Sequence, residues 1–304
     1  MTTTLAELFP GFSEERRTVR GVEIFARVGG RGPPLLLLHG YPETHACWHH
    51  VAPLLARNFT VVAPDLRGYG RSSCPSPDGN QRAYSKRTMA LDMAALMTGL
   101  GFEKFLVMGH DRGARVGFRL ALDAGQRVER LVLIDIISTA DIVRLREEGF
   151  KFGMLHGVFL SQPAPLPETL IIQDPRDWVE SRFRRATLAK SPDVIHPVAM
   201  ADYIDMLSQP DRVNATCEDY RSEHGHDLFL DQTDRAADAR IACPVQVLWA
   251  TEGSLVEVAD PLAVWAPWCT HLVGGPIESG HFIPEENPAA LVERALPFLL
   301  AKEV

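Results

Sequence analysis

Five short, unbroken apolar runs punctuate the chain: Pro34 to Leu38, Thr60 to Ala63, Phe105 to Met108, Leu131 to Ile134 and Val245 to Trp249. Runs of this length with no polar alternation are the pattern of strands covered on both faces. Between them, Lys86 to Leu100 and Ala114 to Ala124 have the length and spacing of helices. The alternation of strand and helix predicts a mostly parallel central sheet with helices on both sides, an α/β fold. An earlier pair, Arg17 to Arg20 and Glu23 to Val28, predicts an antiparallel hairpin at the sheet edge. The alternation stops after Asp135. From Ser138 to Ile241 the sequence reads as helical segments interrupted by Gln162-Pro163-Ala164-Pro165-Leu166-Pro167 and Ser191-Pro192, and strand-like sequence resumes only at Cys243-Pro244. The division expected is a core domain, residues 1–138 and 242–304, with a helical cap, residues 139–241, inserted over the C-terminal ends of the strands, where ligands of open α/β sheets bind.

Composition narrows the function classes. With 304 residues, 46% of them hydrophobic, the chain can bury one large core and an insertion. A net charge of −8, from 39 acidic against 31 basic residues, argues against nucleic acid as a partner, since its binders present a basic face. Met1 to Phe12 lacks a basic stretch followed by an apolar one, and no run approaches the roughly eighteen apolar residues that span a bilayer, so no membrane partner and a cytoplasmic location are expected. Five cysteines, Cys47, Cys74, Cys217, Cys243 and Cys269, form an odd set without metal-binding spacing and are expected to be reduced and mostly buried. Trp48-His49-His50 has no carboxylate or cysteine at ligand spacing, so no metal or other cofactor is expected.

The candidate chemistry starts at Phe105-Leu-Val-Met108, which runs into Gly109-His110-Asp111-Arg112-Gly113 and then into a helix. Strand, G-x-X-x-G and helix is the arrangement of a nucleophile elbow, in which small flanking residues permit a strained turn that lifts the central side chain into a pocket. Here the central residue is Asp111. The same local sequence also suits an ordinary strand-to-helix loop capped by aspartate. Other landmarks favour the elbow. Leu37-Leu38-His39-Gly40-Tyr41-Pro42 ends a strand where an oxyanion-hole amide is expected, making the Tyr41 and Arg112 N–H groups the candidate donors. Glu278-Ser279-Gly280-His281-Phe282 puts a histidine in a loop before the last helix. For the acid that orients it, Leu131-Val-Leu-Ile134-Asp135 ends one strand in aspartate, whereas Thr251-Glu252-Gly253 follows the next; Asp135 is assigned, with Glu252 as the weaker candidate.

Four separated segments resemble the α/β-hydrolase superfamily and, within it, the fluoroacetate or haloacetate dehalogenases: Gly109 to Arg115, Phe159 to Glu168, Cys217 to Arg221 and Pro276 to Phe282. The resemblance implies an α/β-hydrolase fold and hydrolysis of 2-haloacids through a covalent ester on the aspartate. Carboxylate suits that task, because its displacement of halide at an sp³ carbon leaves an ester that water can cleave. His281 would then deprotonate the water rather than activate Asp111, already ionised at neutral pH. Arg112 and Arg115 lie in the first turn after the elbow, where guanidinium forks and the helix N-terminus favour a substrate carboxylate; the resemblance implies the same role. It also implies a halide site made by adjacent histidine and tryptophan in the cap and by a cap tyrosine. The matching residues are His156, Gly157 and Tyr220, so the tryptophan is missing. Loss of that donor predicts faster turnover of chloro- and bromoacetate than of fluoroacetate, whose leaving charge is the most concentrated. Relatives of this kind are often homodimers, and a homodimer is the expectation here by resemblance alone.

Two other functions compete. An epoxide hydrolase shares the aspartate, the histidine and the His-Gly-x-Pro turn, and would need two cap tyrosines, for which Tyr203 and Tyr220 are available. A non-catalytic receptor on the same fold would keep the pocket for binding; a complete Asp111, Asp135 and His281 set argues against it.

Overall fold

In the computed structural model, which describes residues 4–149, 155–253, 255 and 260–301, the apolar runs lie at the centre of an eight-stranded sheet. Its strands are β1 (Phe12–Val19), β2 (Val22–Gly30), β3 (Pro34–Leu38), β4 (Thr60–Pro64), β5 (Phe105–His110), β6 (Val128–Ile134), β7 (Val245–Ala250) and β8 (Leu272–Ile277). They are arranged in the order β1-β2-β4-β3-β5-β6-β7-β8. β2 pairs antiparallel with both β1 and β4, and every other neighbouring pair is parallel. This is the mostly parallel α/β sheet expected of the alternation, in the α/β-hydrolase fold that the resemblance implies. Every residue of β5 and of β7 is buried, which is why neither shows a polar face in the sequence.

The sheet edges depart from the sequence reading. The hairpin runs from the Phe12 and Gly29 pair to the Val19 and Val22 pair, several residues longer than expected. Most of β1 is solvent-facing, so its charged residues hide a strand held by backbone pairing to β2. At the other edge β8, with Gly274, Gly275 and Pro276 inside it, gave no strand signal; an edge strand tolerates such residues because one side needs no partner.

The helices that bear on the site are α1 (Lys86–Gly99) and α2 (Asp111–Asp123) on the core, then α3 (Thr139–Glu147), α4 (Leu155–Leu160), α5 (Leu166–Gln173), α6 (Pro175–Ala186), α7 (Pro197–Leu207), α8 (Pro210–Ser222) and α9 (Leu228–Ala236), and finally α10 (Pro288–Leu300). Between Thr139 and Ala236 every described element is helical. Several prolines that interrupt this stretch turn out to start helices: Pro175, Pro197 and Pro210 each occupy a first-turn position, where the missing N–H costs nothing. A five-residue π-helical turn, Glu223–Asp227, joins α8 to α9. Among the described residues no helix is long and apolar enough to cross a membrane.

Candidate active site

The turn from β5 into α2 explains the glycines around Asp111. A Cβ on Gly109 would lie 2.6 Å from the Ala114 Cα, and one on Gly113 would lie 2.3 Å from the Leu38 carbonyl oxygen. Only glycine lets α2 start this close to β3. Asp111 itself takes φ +49°, the left-handed region that costs a non-glycine residue energy, and the turn presents its carboxylate to a cavity of about 540 Å³ between the sheet and the helices that follow β6.

Asp135 and His281 reach the same cavity from β6 and from the loop after β8. His281 Nδ1 stands 2.6 Å from Asp135 Oδ2, and its Nε2 stands 4.0 Å from Asp111 Oδ1. Asp135 also takes φ +50°, and its other oxygen accepts the Ala250 N–H at 3.0 Å, so the acid is held at both ends. Glu252 lines the cavity but has no contact with His281 among the described hydrogen bonds and ion pairs. Two residues without an assigned role brace the histidine from behind. His110 Nε2 bonds the His281 carbonyl at 2.8 Å, and His110 Nδ1 meets Glu43 Oε2 at 2.9 Å. Of the two amides expected to form an oxyanion hole, Tyr41 donates to Asp111 Oδ2 at 3.1 Å; the Arg112 N–H makes no bond to that carboxylate.

Electrostatics divide the protons. Burial would push the His281 pKa down, but the hydrogen bond and charge of Asp135 together with the charge of Asp111 outweigh it and raise the value to about 9. Burial would raise Asp111, yet the charges of His281, His110 and Arg112 and the Tyr41 N–H hold it below the ordinary carboxylate range. The free site is therefore a carboxylate beside an imidazolium at neutral pH.

Arg112 and Arg115 line the cavity, but they are not the open pair that the sequence suggested. Arg112 places Nε and Nη2 on Asp219 at 2.5 and 2.9 Å and Nη1 on Glu223 at 2.7 Å. The fork of Arg112 is thus closed on a buried acid, and its guanidinium carbon lies 3.7 Å from the centre of the Tyr220 ring. Arg115 spends Nη1 on Glu223 at 2.5 Å and Nε on the Ile137 carbonyl at 3.2 Å, leaving Nη2 buried without a partner. Burial alone would raise the Glu223 pKa, but the charges of Arg115 and Arg112 take it well below the usual range.

His156 and Tyr220 face each other across the cavity wall with ring centres 5.9 Å apart. No hydrogen bond to either ring nitrogen of His156 or to the Tyr220 hydroxyl is formed among the described residues. Burial, reinforced by the Arg182 charge, lowers the His156 pKa to about 4, and burial keeps the Tyr220 phenol well above its ordinary value. Both are neutral donors at physiological pH. Gly157 sits beside them; among the described residues, a Cβ there would meet the Tyr220 ring, at 3.7 Å. Tyr203 does not belong to this wall. It is buried elsewhere with its hydroxyl on Glu285, so the pairing of Tyr203 with Tyr220 required for the competing epoxide reading does not form.

Sequence reasoning passed over Asp219 and Glu223, although Asp219 stands inside a segment quoted for its resemblance; an acid next to a site tyrosine, opposite two elbow arginines, was the available signal. It also passed over Arg182, Arg185 and Lys190, which line the cavity from the cap, because the charged face of α6 reads as a solvated one.

Residues 33–288 match the family model described as alpha/beta hydrolase fold. The chain is 37% identical over 281 residues to a fluoroacetate dehalogenase from Burkholderia sp., covering 92% of this chain and 91% of that one. It is 32% identical over 287 residues to a soluble epoxide hydrolase from Corynebacterium sp. (strain C12), covering 92% of this chain and 94% of that one. A crystal structure of a candidate α/β hydrolase from Nostoc sp. PCC 7120 superposes with a TM-score of 0.92 at 44% identity, covering 96% of this chain and 99% of that one.

Proposed function

The chain belongs to the α/β-hydrolase family, and from that premise we propose that it hydrolyses short 2-haloacids at the carbon–halogen bond through an ester formed on Asp111. What carries the reading is the company Asp111 keeps. Across one cavity it faces two neutral donors, His156 and Tyr220, and an arginine, Arg115, whose buried Nη2 has, like those donors, no protein partner among the described residues. A haloacid needs all three kinds of group: a nucleophile for the 2-carbon, donors for the departing halide and a cation for the carboxylate.

In the first half-reaction an Asp111 oxygen attacks the 2-carbon and the carbon–halogen bond breaks, with its electron pair leaving on the halide towards His156 and Tyr220. Arg115, backed by Arg112, holds the substrate carboxylate. In the second, water attacks the Asp111 ester carbonyl and gives its proton to His281. The Tyr41 N–H stabilises the oxyanion, and collapse releases the 2-hydroxyacid and restores the carboxylate. Forming the ester removes the Asp111 charge that helps raise the His281 pKa, so the imidazolium loses its proton more readily when a base is required.

The missing indole at Gly157 favours chloride and bromide over fluoride as leaving groups. Halide release from chloroacetate, bromoacetate and fluoroacetate tests the function; release from chloroacetate above the rate of an Asp111→Asn control is expected, and none from any of the three refutes it. A second reading, epoxide hydrolysis, draws on the same two donors, which can also hold an epoxide oxygen, and on the similarity to the Corynebacterium enzyme. Diol formation from styrene oxide without halide release would favour it.

A further inference from the structure

The positive charge on the cavity floor is largely neutralised: Arg112 and Arg115 face Asp219 and Glu223, and Lys86 also pairs with Asp219. The cap wall differs. Arg182 and Arg185, three residues apart on α6, and Lys190 beyond its end line the same cavity. None of the three has a carboxylate within ion-pair distance among the described residues. Neighbouring Arg184, on the same helix but off the cavity, pairs with Asp177 and Glu180. Arg182 is half-buried and lies over the Trp178 ring at 4.4 Å, and among the described residues its hydrogen bonds go to the adjacent Ser181 hydroxyl. Burial first, and the like charges of Arg185 and Arg184 after it, lower the Arg182 pKa from its ordinary value, as expected of a cation without a counter-ion. Arg185 and Lys190 are exposed at the mouth, where Glu252 contributes a carboxylate from the core side.

The cavity is also too large for the substrates considered so far. Its volume of about 540 Å³ lies in the range of roughly 300–1,000 Å³ that encloses a drug-sized molecule, against the handful of heavy atoms in a haloacetate. We infer that Arg182 and Arg185 form a second anion subsite, so that the preferred substrates are 2-halo dicarboxylates, with one carboxylate on the Arg115 floor and the other on the cap wall. The inference deepens the dehalogenase reading and rests on it for the reaction, though not for the binding.

The test compares halide release from 2-chlorosuccinate and from 2-chlorosuccinamate, which carries an amide in place of the far carboxylate, in wild type, Arg182→Gln, Arg185→Gln and Arg184→Gln. The diacid is expected to have the higher kcat/KM in wild type. Arg182→Gln should lower that preference on the order of tenfold, between the limits for exposed and buried charge pairs. Arg185→Gln should lower it less, and Arg184→Gln should leave it in place. Equal use of the two substrates by wild type, or equal loss on both in Arg182→Gln, overturns the inference while leaving the dehalogenase reading intact. Binding of succinate and succinamate to Asp111→Asn by calorimetry separates the two ideas. If no substrate releases halide, the reading of the reaction fails, yet a succinate preference that disappears with Arg182→Gln still establishes the subsite. Absence of any succinate preference overturns the subsite too.

Discussion

His281 sits between two carboxylates, and in the proposed reaction its proton has to be present in one half-reaction and absent in the other. With a pKa raised to about 9 in the free enzyme, it is an imidazolium at neutral pH that balances Asp111 as an anionic substrate approaches. Raising the pH through that value leaves the Asp111 charge uncompensated, so kcat/KM for a haloacid should fall on the alkaline side. Ester hydrolysis needs the neutral imidazole in a site that has lost one negative charge. When this step limits turnover, kcat should therefore rise with pH and level off at an inflection below that of the free enzyme; an inflection at or above it would contradict the assignment. His281→Asn should release one equivalent of halide and stop with a trapped ester, visible as added mass on the Asp111 peptide. At Gly157 the nearest neighbour of an added Cβ is the Tyr220 ring at ordinary contact distance, so Gly157→Trp should fold and shift the ratio of fluoride to chloride release towards fluoride. Faster fluoroacetate than chloroacetate turnover by the wild type would remove the basis of that substitution.

The elbow helix α2 and the cap helix α8 are coupled by buried charge, and the two arginines of α2 are expected to behave differently. Arg112→Leu strips Asp219 and Glu223 of a shared counter-charge. Breaking a buried pair in this way typically costs about 3–5 kcal/mol, with Lys86 on Asp219 keeping the loss near the lower figure. Arg115→Leu leaves Glu223 with Arg112, so it should lower Tm much less while raising KM for chloroacetate severely. Thermal melts and kinetics of the two variants, side by side, check this; equal losses of Tm would mean that the network does not divide as the contacts indicate. Glu223 owes its position to the π-helical turn after α8, a local distortion of the kind that often marks a functional site. Nothing in Ser222-Glu223-His224-Gly225 announces that turn, because a π-helical step follows from tertiary packing rather than from residue preference. The loop after β8 is equally specific: a Cβ on Gly280 would lie 2.4 Å from the Leu188 N–H nitrogen, and the His281 N–H bonds the Ala186 carbonyl at 2.8 Å. That loop ties His281 to the end of α6.

Across the whole molecule, what could be read from the sequence was whatever a local pattern encodes. Strands β3 to β7 each hold a buried apolar run, and the elbow carries its glycines, so the sheet and Asp111 were both visible in the chain. Edge strands β1 and β8 were partly or wholly hidden, since backbone pairing rather than an apolar face holds them. The partners of Arg112 and Arg115 were hidden for another reason: Asp219 and Glu223 are more than a hundred residues away in sequence and meet the elbow only once α8 packs against α2 in the fold. The same closure turns the charged side of α6, an ordinary surface in sequence, into a cavity wall. The central claim is that Asp111 becomes an ester and is released by water attacking its own carboxyl carbon. One turnover of chloroacetate in heavy-oxygen water, with enzyme in excess, followed by mass spectrometry of the peptide containing Asp111, tests it most directly. The label should appear in the Asp111 carboxylate and be absent from the glycolate; label in the glycolate with an unlabelled Asp111 peptide would mean that water attacks the substrate directly and that no ester forms.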